Sequence, residues 1–201
     1  DEEKGGIYIF TGPPVGDPTG NGWTRQCCAE LIGGPQQHDL TIDCGLKLHG
    51  GHGRIAEKNP KHSFRLQFKK TYGPASLDYP LFGENGPQKF DQIIMRCHFG
   101  NAWQHWAENN RQSAQYTRDV WARRMQRKIS NVGVDALYVH LFLNGMYWGL
   151  YNIAERVDDT FGKNHFGGKK SDYDIVKIEE EGGNHLEASE GTLDAYYEMH
   201  S

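Results

Sequence analysis

The feature that most constrains the fold is a pair of β-rich segments joined by Asn144-Gly145. Apolar residues alternate along the first segment, and residues 147–153 return as a second segment rich in aromatic and apolar side chains. An Asn-Gly pair between two such segments favours a type I′ turn, in which both central residues take positive φ. The stretch therefore predicts a β-hairpin whose first strand has one apolar face, made of Leu137, Val139, Leu141 and Leu143.

Three upstream segments also predict strands. Residues 39–48 alternate between apolar and polar side chains, and residues 61–69 do the same around Phe64, Leu66 and Phe68. A polar, glycine-rich loop joins these two strands into a hairpin with an open tip. The run 90–97 predicts a further strand.

The apolar period becomes helical over residues 114–129. Trp121, Met125 and Ile129 recur at intervals of four, with Ala114 and Val120 beside them, and predict the face that packs on the protein. Arg118 falls on this face. A charge there needs a partner or a water-filled cleft, or else it extends from the first turns into solvent.

The order of these elements predicts an α+β fold, an antiparallel sheet with one packed helix, rather than alternating βαβ units. We expect three parts: an N-terminal β-hairpin extension over 1–35, a main domain over 36–158, and the start of a further part over 159–201. The chain begins at Asp1 and ends within a helical pattern, so we expect it to be a piece of a longer protein.

The composition excludes several classes of function. Lys and Arg total 22 against 26 Asp and Glu, a net charge of −4 that lacks the basic excess typical of nucleic-acid-binding proteins. No apolar run approaches the roughly 20 residues of a membrane span. Cys27 and Cys28 point to opposite faces of a predicted strand, so at most one of them pairs with Cys44; free buried thiols are the alternative.

No metal site is predicted. The sequence contains no C-x-x-C pair, Walker A loop, EF-hand loop or H-E-x-x-H motif. His49 and His52 have metal-ligand spacing, but they flank two glycines and have no evident third ligand. We interpret them as solvated loop histidines.

A glycine-rich loop followed by basic residues is the candidate binding site. Backbone amides at Gly50 and Gly51 can approach an anion closely, and Arg54 can add a bidentate contact to phosphate. Lys61 begins the next strand and can reach the same anion. Arg65 lies four residues further, on the same strand face. The arrangement predicts a site for a polyphosphate.

Five segments, in order over residues 45–177, resemble the spore-coat-protein-H (CotH) kinase-like family. The family pattern is an R-G-G-x-S-R-like loop, a P-K-[KH]-S-[FY]-[RK]-L strand, a further strand, a helix with an early Arg-Asn/Asp, and a diagnostic N-G-x-Y-x-G-x-Y-x-x-x-E-[KR] stretch. The matching segments are LHGGHGRIAEKNPKHSFRLQF, FDQIIMR, YTRDVWARRM, LFLNGMYWGLYNIAERVDDTF and YDIVK.

The resemblance implies a protein-kinase-like small lobe over 36–158 and the start of a larger lobe. Lys61 would be the nucleotide-binding lysine, with Asp119 and Glu155 both candidates for its acidic partner. Arg118 would lie on the small-lobe helix, and Glu155 and Arg156 would lie in the hinge beside the adenine. The catalytic Asp and the metal-binding W-D-x-D stretch are expected after residue 201, so no catalytic residue is assigned here.

The resemblance further implies an atypical secreted kinase that transfers phosphate from ATP, with Mg²⁺, to protein Ser or Thr. Its expected location is extracytoplasmic, and its expected partners are ATP and a protein substrate or surface partner. An adhesion or assembly module that reuses the fold is the main alternative, favoured by the Trp103/Trp106 cluster and the loop 11–22. A carbohydrate-active enzyme, suggested by five Trp and ten Tyr, ranks last because no carboxylate pair is placed by a motif.

Overall fold

The structure is a computed structural model that describes residues 23–34, 39–179 and 185–200. The chain divides into two compact units, Asp1–Glu155 and Arg156–Ser201. Much of the predicted N-terminal hairpin lies outside the described residues, including its first apolar segment and the loop 11–22.

The first unit is built on a six-stranded antiparallel sheet with the strand order β1-β2-β3-β6-β8-β7. Among its described residues, the unit also contains a two-stranded sheet, β4 with β5, and two helices. The elements are β1 (Arg25–Leu31), β2 (Leu40–His49), β3 (Ser63–Gln67), β4 (Leu77–Asp78), β5 (Lys89–Phe90), β6 (Gln92–Arg96), α1 (Glu108–Gln112), α2 (Arg118–Ser130), β7 (Ala136–Leu143) and β8 (Met146–Glu155). Short 3-10 turns occupy His52–Arg54 and Phe99–Asn101.

The core lies on one face of this sheet, as the alternation predicts. Registered pairs bring apolar side chains side by side across strands, such as Leu48 with Phe64 and Phe64 with Met95. The main buried apolar residues are Cys44, Leu46, Leu48, Phe64, Phe68, Ile93, Met95, Tyr151 and Ile153. The opposite face has a polar pattern, because the intervening positions include Lys47, Arg65, Arg96 and Asn152.

The predicted hairpin is confirmed as β7–β8. Leu143 pairs with Met146, and the two connecting residues both have positive φ, 50° at Asn144 and 79° at Gly145. These angles match a type I′ turn, which a glycine adopts without steric cost. The hairpin places β7 at one edge of the sheet and β1 at the other.

Helix α2 is present, but two of the three residues of its predicted apolar stripe are exposed, and the third, Met125, is half-buried. Trp121 is 63% exposed and Ile129 is 85% exposed, whereas Val120 is buried. The helix is attached by charged groups instead: Asp119 pairs with Arg96 of β6, and Arg127 pairs with Asp135 just before β7. Partnered charges on the inward face replace the apolar contacts that the period of four predicts.

Arg118 is accordingly exposed, not buried on an apolar face. Its guanidinium donates to Asn101 Oδ1 and to the Ser113 carbonyl, both at 3.1 Å. Of the two alternatives left by the sequence, extension into solvent from the first turn is the one observed.

The second unit contains α3 (Asp159–Phe166), β9 (Ile175–Glu179), β10 (His185–Glu190) and α4 (Asp194–Met199). Strand β9 pairs antiparallel with β10. Helix α3 is capped by the buried Asp158, whose side chain accepts from the Phe161 amide at 3.1 Å. No helix in the described part of the chain is long and apolar enough to cross a membrane.

Candidate functional site

Lys61 lies two residues before β3, and its side chain reaches the middle of β8. The ammonium donates to the Leu150 carbonyl at 2.8 Å and lies 3.5 Å from the Tyr116 hydroxyl. It also lies 4.6 Å from the ring centroid of Tyr151, within cation–π range. Gly149 leaves room for this approach, because a Cβ there would lie 3.0 Å from the Lys61 nitrogen, closer than such atoms usually come.

The Lys61 charge has no carboxylate partner among the described residues. Burial lowers the pKa of this lysine, since desolvation disfavours the charged form, and the main opposing influence is the Cys97 thiol. One carbonyl, one phenol and aromatic rings neutralise an ammonium less than a carboxylate does. The site therefore retains an attraction for an anion.

Asp119, the first candidate partner of Lys61, is engaged elsewhere. Its carboxylate lies 2.8 Å from Arg123 Nε, one turn along α2, and 3.5 Å from a terminal nitrogen of Arg96. Burial lowers the pKa of Arg96, as does the nearby Arg123, whereas Asp119 raises it. Asp119 therefore joins α2 to the sheet and does not pair with Lys61.

Glu155, the second candidate, is buried at the end of β8. Its Oε2 accepts from the Asp135 amide at 3.0 Å, and the Glu155 amide donates to the Asp135 carbonyl at 3.1 Å. Because Asp135 also pairs with Arg127, these residues connect α2, the start of β7 and the end of β8. Glu155 thus helps to hold these three elements together, and its described hydrogen bonds do not include Lys61.

The predicted glycine-rich loop is partly open. Gly50 has a φ of 109°, and nothing lies within 4 Å of the position that its Cβ would take. Gly51 accepts from the Arg54 amide in the 3-10 turn. Gly53 is packed against the ring of Phe99. The described contacts of Lys61 include none of these loop residues, so the structure does not bring the loop and the lysine into direct contact.

Arg65 lies on β3, on the sheet face opposite the core, directly across from Lys47. Its Nε is buried and has no hydrogen-bond acceptor in the described part of the chain. The described contacts of Lys61 do not include Arg65, and the polyphosphate site stays a prediction.

Arg156 begins the second unit, and its Nε lies 3.8 Å from the Asp158 carboxylate. Burial raises the pKa of Asp158, whereas the amide of Phe161 and then the Arg156 charge lower it. Arg156 thus has a local role beside the capping residue of α3.

His98, which the sequence reasoning did not single out, is a notable polar group of the first unit. It is 3% exposed, has a φ of 60°, and neither ring nitrogen has a hydrogen-bond partner in the described structure. Its ring lies against Tyr116 and Tyr138. Burial, reinforced by the Arg96 charge, lowers its pKa to about 4. No spacing in the sequence marks this residue, because its burial arises from the packing of distant elements.

Gly149 and Tyr116 were also missed as neighbours of Lys61. The signal for Gly149 was present, because a glycine inside a strand often marks the close approach of another group. Tyr116 precedes α2 and comes near Lys61 only through the tertiary structure.

The aromatic cluster at 99–106 is partly exposed. Trp103 is 64% exposed and contacts the ring of Tyr116, while Trp106 is 43% exposed and stacks on His105. Each tryptophan is therefore packed against a neighbouring ring on one side and partly open to solvent.

In the described residues, no group of three or more His, Cys, Asp or Glu side chains is arranged to hold a metal ion. His49, which we interpreted as a solvated loop histidine, is instead the half-buried last residue of β2.

With this geometry established, comparison with known families is informative. A family model described as CotH kinase protein matches residues 46–200. The chain belongs to the CotH kinase family. The match includes Lys61, the β7–β8 hairpin and most of the second unit, but it begins after β1 and most of β2. No curated protein matched the chain.

Proposed function

We propose that this CotH kinase chain is the nucleotide-binding part of an atypical, extracytoplasmic protein kinase that transfers phosphate from ATP to protein Ser or Thr. In this proposal the first unit acts as a kinase-like small lobe, and Lys61 binds the phosphates. The observation that carries it is Lys61 itself, a half-buried lysine that contacts no carboxylate in the described residues.

Polyphosphate binding follows from the chemistry of these donors. A desolvated ammonium attracts a phosphate more strongly than an exposed one does, because the local dielectric is low. Arg65 would add a guanidinium with an orphaned Nε, and Gly50 would leave room for backbone approach. Mg²⁺ would neutralise charge on the phosphates during transfer, and its ligands are expected after residue 201.

Binding of Mg-ATP to the full-length protein tests the proposal by calorimetry. We expect an affinity in the micromolar range, which corresponds to about −8 kcal/mol. Lys61→Ala should weaken binding at least tenfold, since it removes the cation. Lys70→Ala, an exposed lysine of the same unit, should leave the affinity unchanged.

Circular dichroism and the thermal midpoint of each variant establish that it is folded. Equal affinities for the wild type and Lys61→Ala would remove the assignment of Lys61. Absence of binding in all three proteins would leave kinase as a description of the family only.

A second candidate function is adhesion or assembly on a cell or coat surface without catalysis. The exposed tryptophans favour it, since Trp is enriched at the centres of interfaces. Under this alternative, Trp103→Ala would reduce attachment of the protein to its native surface and Lys61→Ala would not. The kinase proposal predicts instead that Lys61→Ala weakens nucleotide binding and that Trp103→Ala does not.

A further inference from the structure

Two thiols face each other across the edge of the main sheet. Cys27 on β1 is directly opposite Cys44 on β2, and their sulfur atoms lie 3.5 Å apart. Cys27 is half-buried and Cys44 is fully buried. Both residues precede the segment matched by the family model, so the family assignment says nothing about them.

The backbone geometry at this pair suits a covalent bond. Directly opposite residues of antiparallel strands have Cα atoms about 4.5–5.5 Å apart, which falls within the roughly 4.4–6.8 Å range of disulfides. The sulfurs would need to approach by about 1.5 Å to reach bonding distance. Rotation of the two side chains supplies such a movement without displacing either strand.

The other cysteines are not placed to compete. Cys28 is exposed and lies across from Asp43, because successive residues of a strand point to opposite faces. Cys97 is buried after β6, where its sulfur contacts Ser63 at 3.2 Å and Asn59 at 3.6 Å. The structure thus resolves the alternative that the sequence left open between Cys27 and Cys28.

We propose that Cys27 and Cys44 form an intramolecular disulfide when the protein meets an oxidising thiol–disulfide buffer, linking the edge strand β1 covalently to β2. The oxidant is a low-molecular-weight disulfide such as glutathione disulfide. Two protein thiols lose two protons and two electrons, and one glutathione disulfide is reduced to two glutathione molecules.

The two thiols differ in accessibility and in pKa, and these differences set the order of the exchange steps. Cys27 is the more accessible, and a hydrogen bond from the Cys44 thiol lowers its pKa. Its thiolate attacks one sulfur of glutathione disulfide, forms a mixed disulfide and releases one glutathione thiolate. Cys44 then loses its proton and attacks the Cys27 sulfur, which releases the second glutathione.

The proposed bond has a structural consequence at the sheet edge. β1 is an outermost strand, and its one neighbour in the described sheet is β2. A link between residues 17 apart in the chain restricts the unfolded chain and opposes separation of the edge strand. We expect the thermal midpoint to rise by several degrees on oxidation.

The test is oxidation of the full-length protein in glutathione buffer, followed by alkylation of the remaining thiols and peptide mass spectrometry. We expect a peptide in which Cys27 is linked to Cys44, about 2 Da lighter than the same peptide with both thiols reduced. Cys28→Ser is the matched control and should give the same link. Cys27→Ser should give no link, and its thermal midpoint should not change between oxidised and reduced buffer.

Peptide mapping of the wild type decides the matter even where a Cys44 variant fails to fold. Recovery of Cys27 and Cys44 both alkylated, under conditions that convert Cys28 to its glutathione adduct, would overturn the proposal. A link from Cys28 to Cys44, or a link between two protein molecules through Cys27, would overturn it as well.

Discussion

Lys61 and Arg96 are two cations of the first unit that the fold holds in opposite ways. Arg96 lies 3.5 Å from the carboxylate of Asp119. Lys61 donates to the Leu150 carbonyl and rests against the ring of Tyr151. The kinase resemblance made Asp119 a candidate partner of Lys61. The structure instead pairs Asp119 with Arg96 on β6.

This difference separates a cation that attaches a helix to the sheet from one that has no carboxylate partner among the described residues. A charge paired with a carboxylate stabilises the attachment of α2 and has little attraction left for a ligand. A lysine held by a carbonyl and aromatic rings is fixed in position but still attracts an anion. The contrast gives predictions that differ between the two sites.

The largest expected effect concerns His98, which lies in the field of both cations. Its folded pKa of about 4 is below the 6.5 of the unfolded chain, so the unfolded state binds more protons between these values. The stability due to neutral His98 is complete above pH 6.5 and is lost as the pH falls toward about 4. The loss should reach about 3 kcal/mol at most.

Urea unfolding at a series of pH values measures this loss. His98→Asn should flatten the curve between pH 4 and 6.5 relative to the wild type, because asparagine does not titrate and tolerates positive φ. His140→Asn, at an exposed position on β7, is the control and should keep the wild-type slope. Equal slopes for all three proteins would show that His98 is not held neutral.

The second prediction compares the partners of the two cations directly. Asp119→Asn should destabilise the fold by about 2 kcal/mol, because it leaves two partly buried guanidinium groups without their carboxylate. Lys61→Met should destabilise it by less than about 1 kcal/mol, since no carboxylate loses its partner. Equal losses in urea unfolding would contradict the distinction drawn between the sites.

The third prediction displaces Lys61 without removing it. Gly149→Ala places a Cβ 3.0 Å from the lysine nitrogen at a φ of 119°, which L residues rarely adopt. We expect a loss of about 1–2 kcal/mol in stability together with weaker binding of Mg-ATP. Gly145→Ala, in the open turn of the same hairpin, should affect stability without affecting binding. Unchanged binding in Gly149→Ala would place the lysine outside the nucleotide site.

The smallest expected effect tests which face of α2 is buried. Trp121→Gln and Ile129→Gln should each change stability by less than about 0.5 kcal/mol, because both side chains are largely exposed. Val120→Ala, on the buried face, should cost about 1 kcal/mol or more. If urea unfolding showed a larger loss of stability for Trp121→Gln than for Val120→Ala, the face with Trp121, and not the face with Val120, would be the one that packs on the protein.

Much of the sheet could be predicted from the sequence, since strand patterns are local. Alternation identified β2 and β3, and the run 90–97 identified β6. Asn144-Gly145 identified the β7–β8 hairpin, because a two-residue turn with positive φ sets the register of its own strands. The candidate site was predicted less completely. Lys61 was identified, but its neighbours Tyr116 and Leu150 are 55 and 89 residues away in the chain.

What the sequence by itself determined is therefore a set of elements with local patterns: strands β2, β3 and β6, the β7–β8 hairpin with its turn, and most of helix α2. Which face of α2 is buried was decided by the tertiary structure. The apolar stripe can be recognised from the helix sequence alone. The partners of Asp119 and Arg127, however, lie on β6 and just before β7, and no helical period reveals them. The same holds for Lys61 and for the two facing thiols, because contacts between strands depend on the register that folding creates.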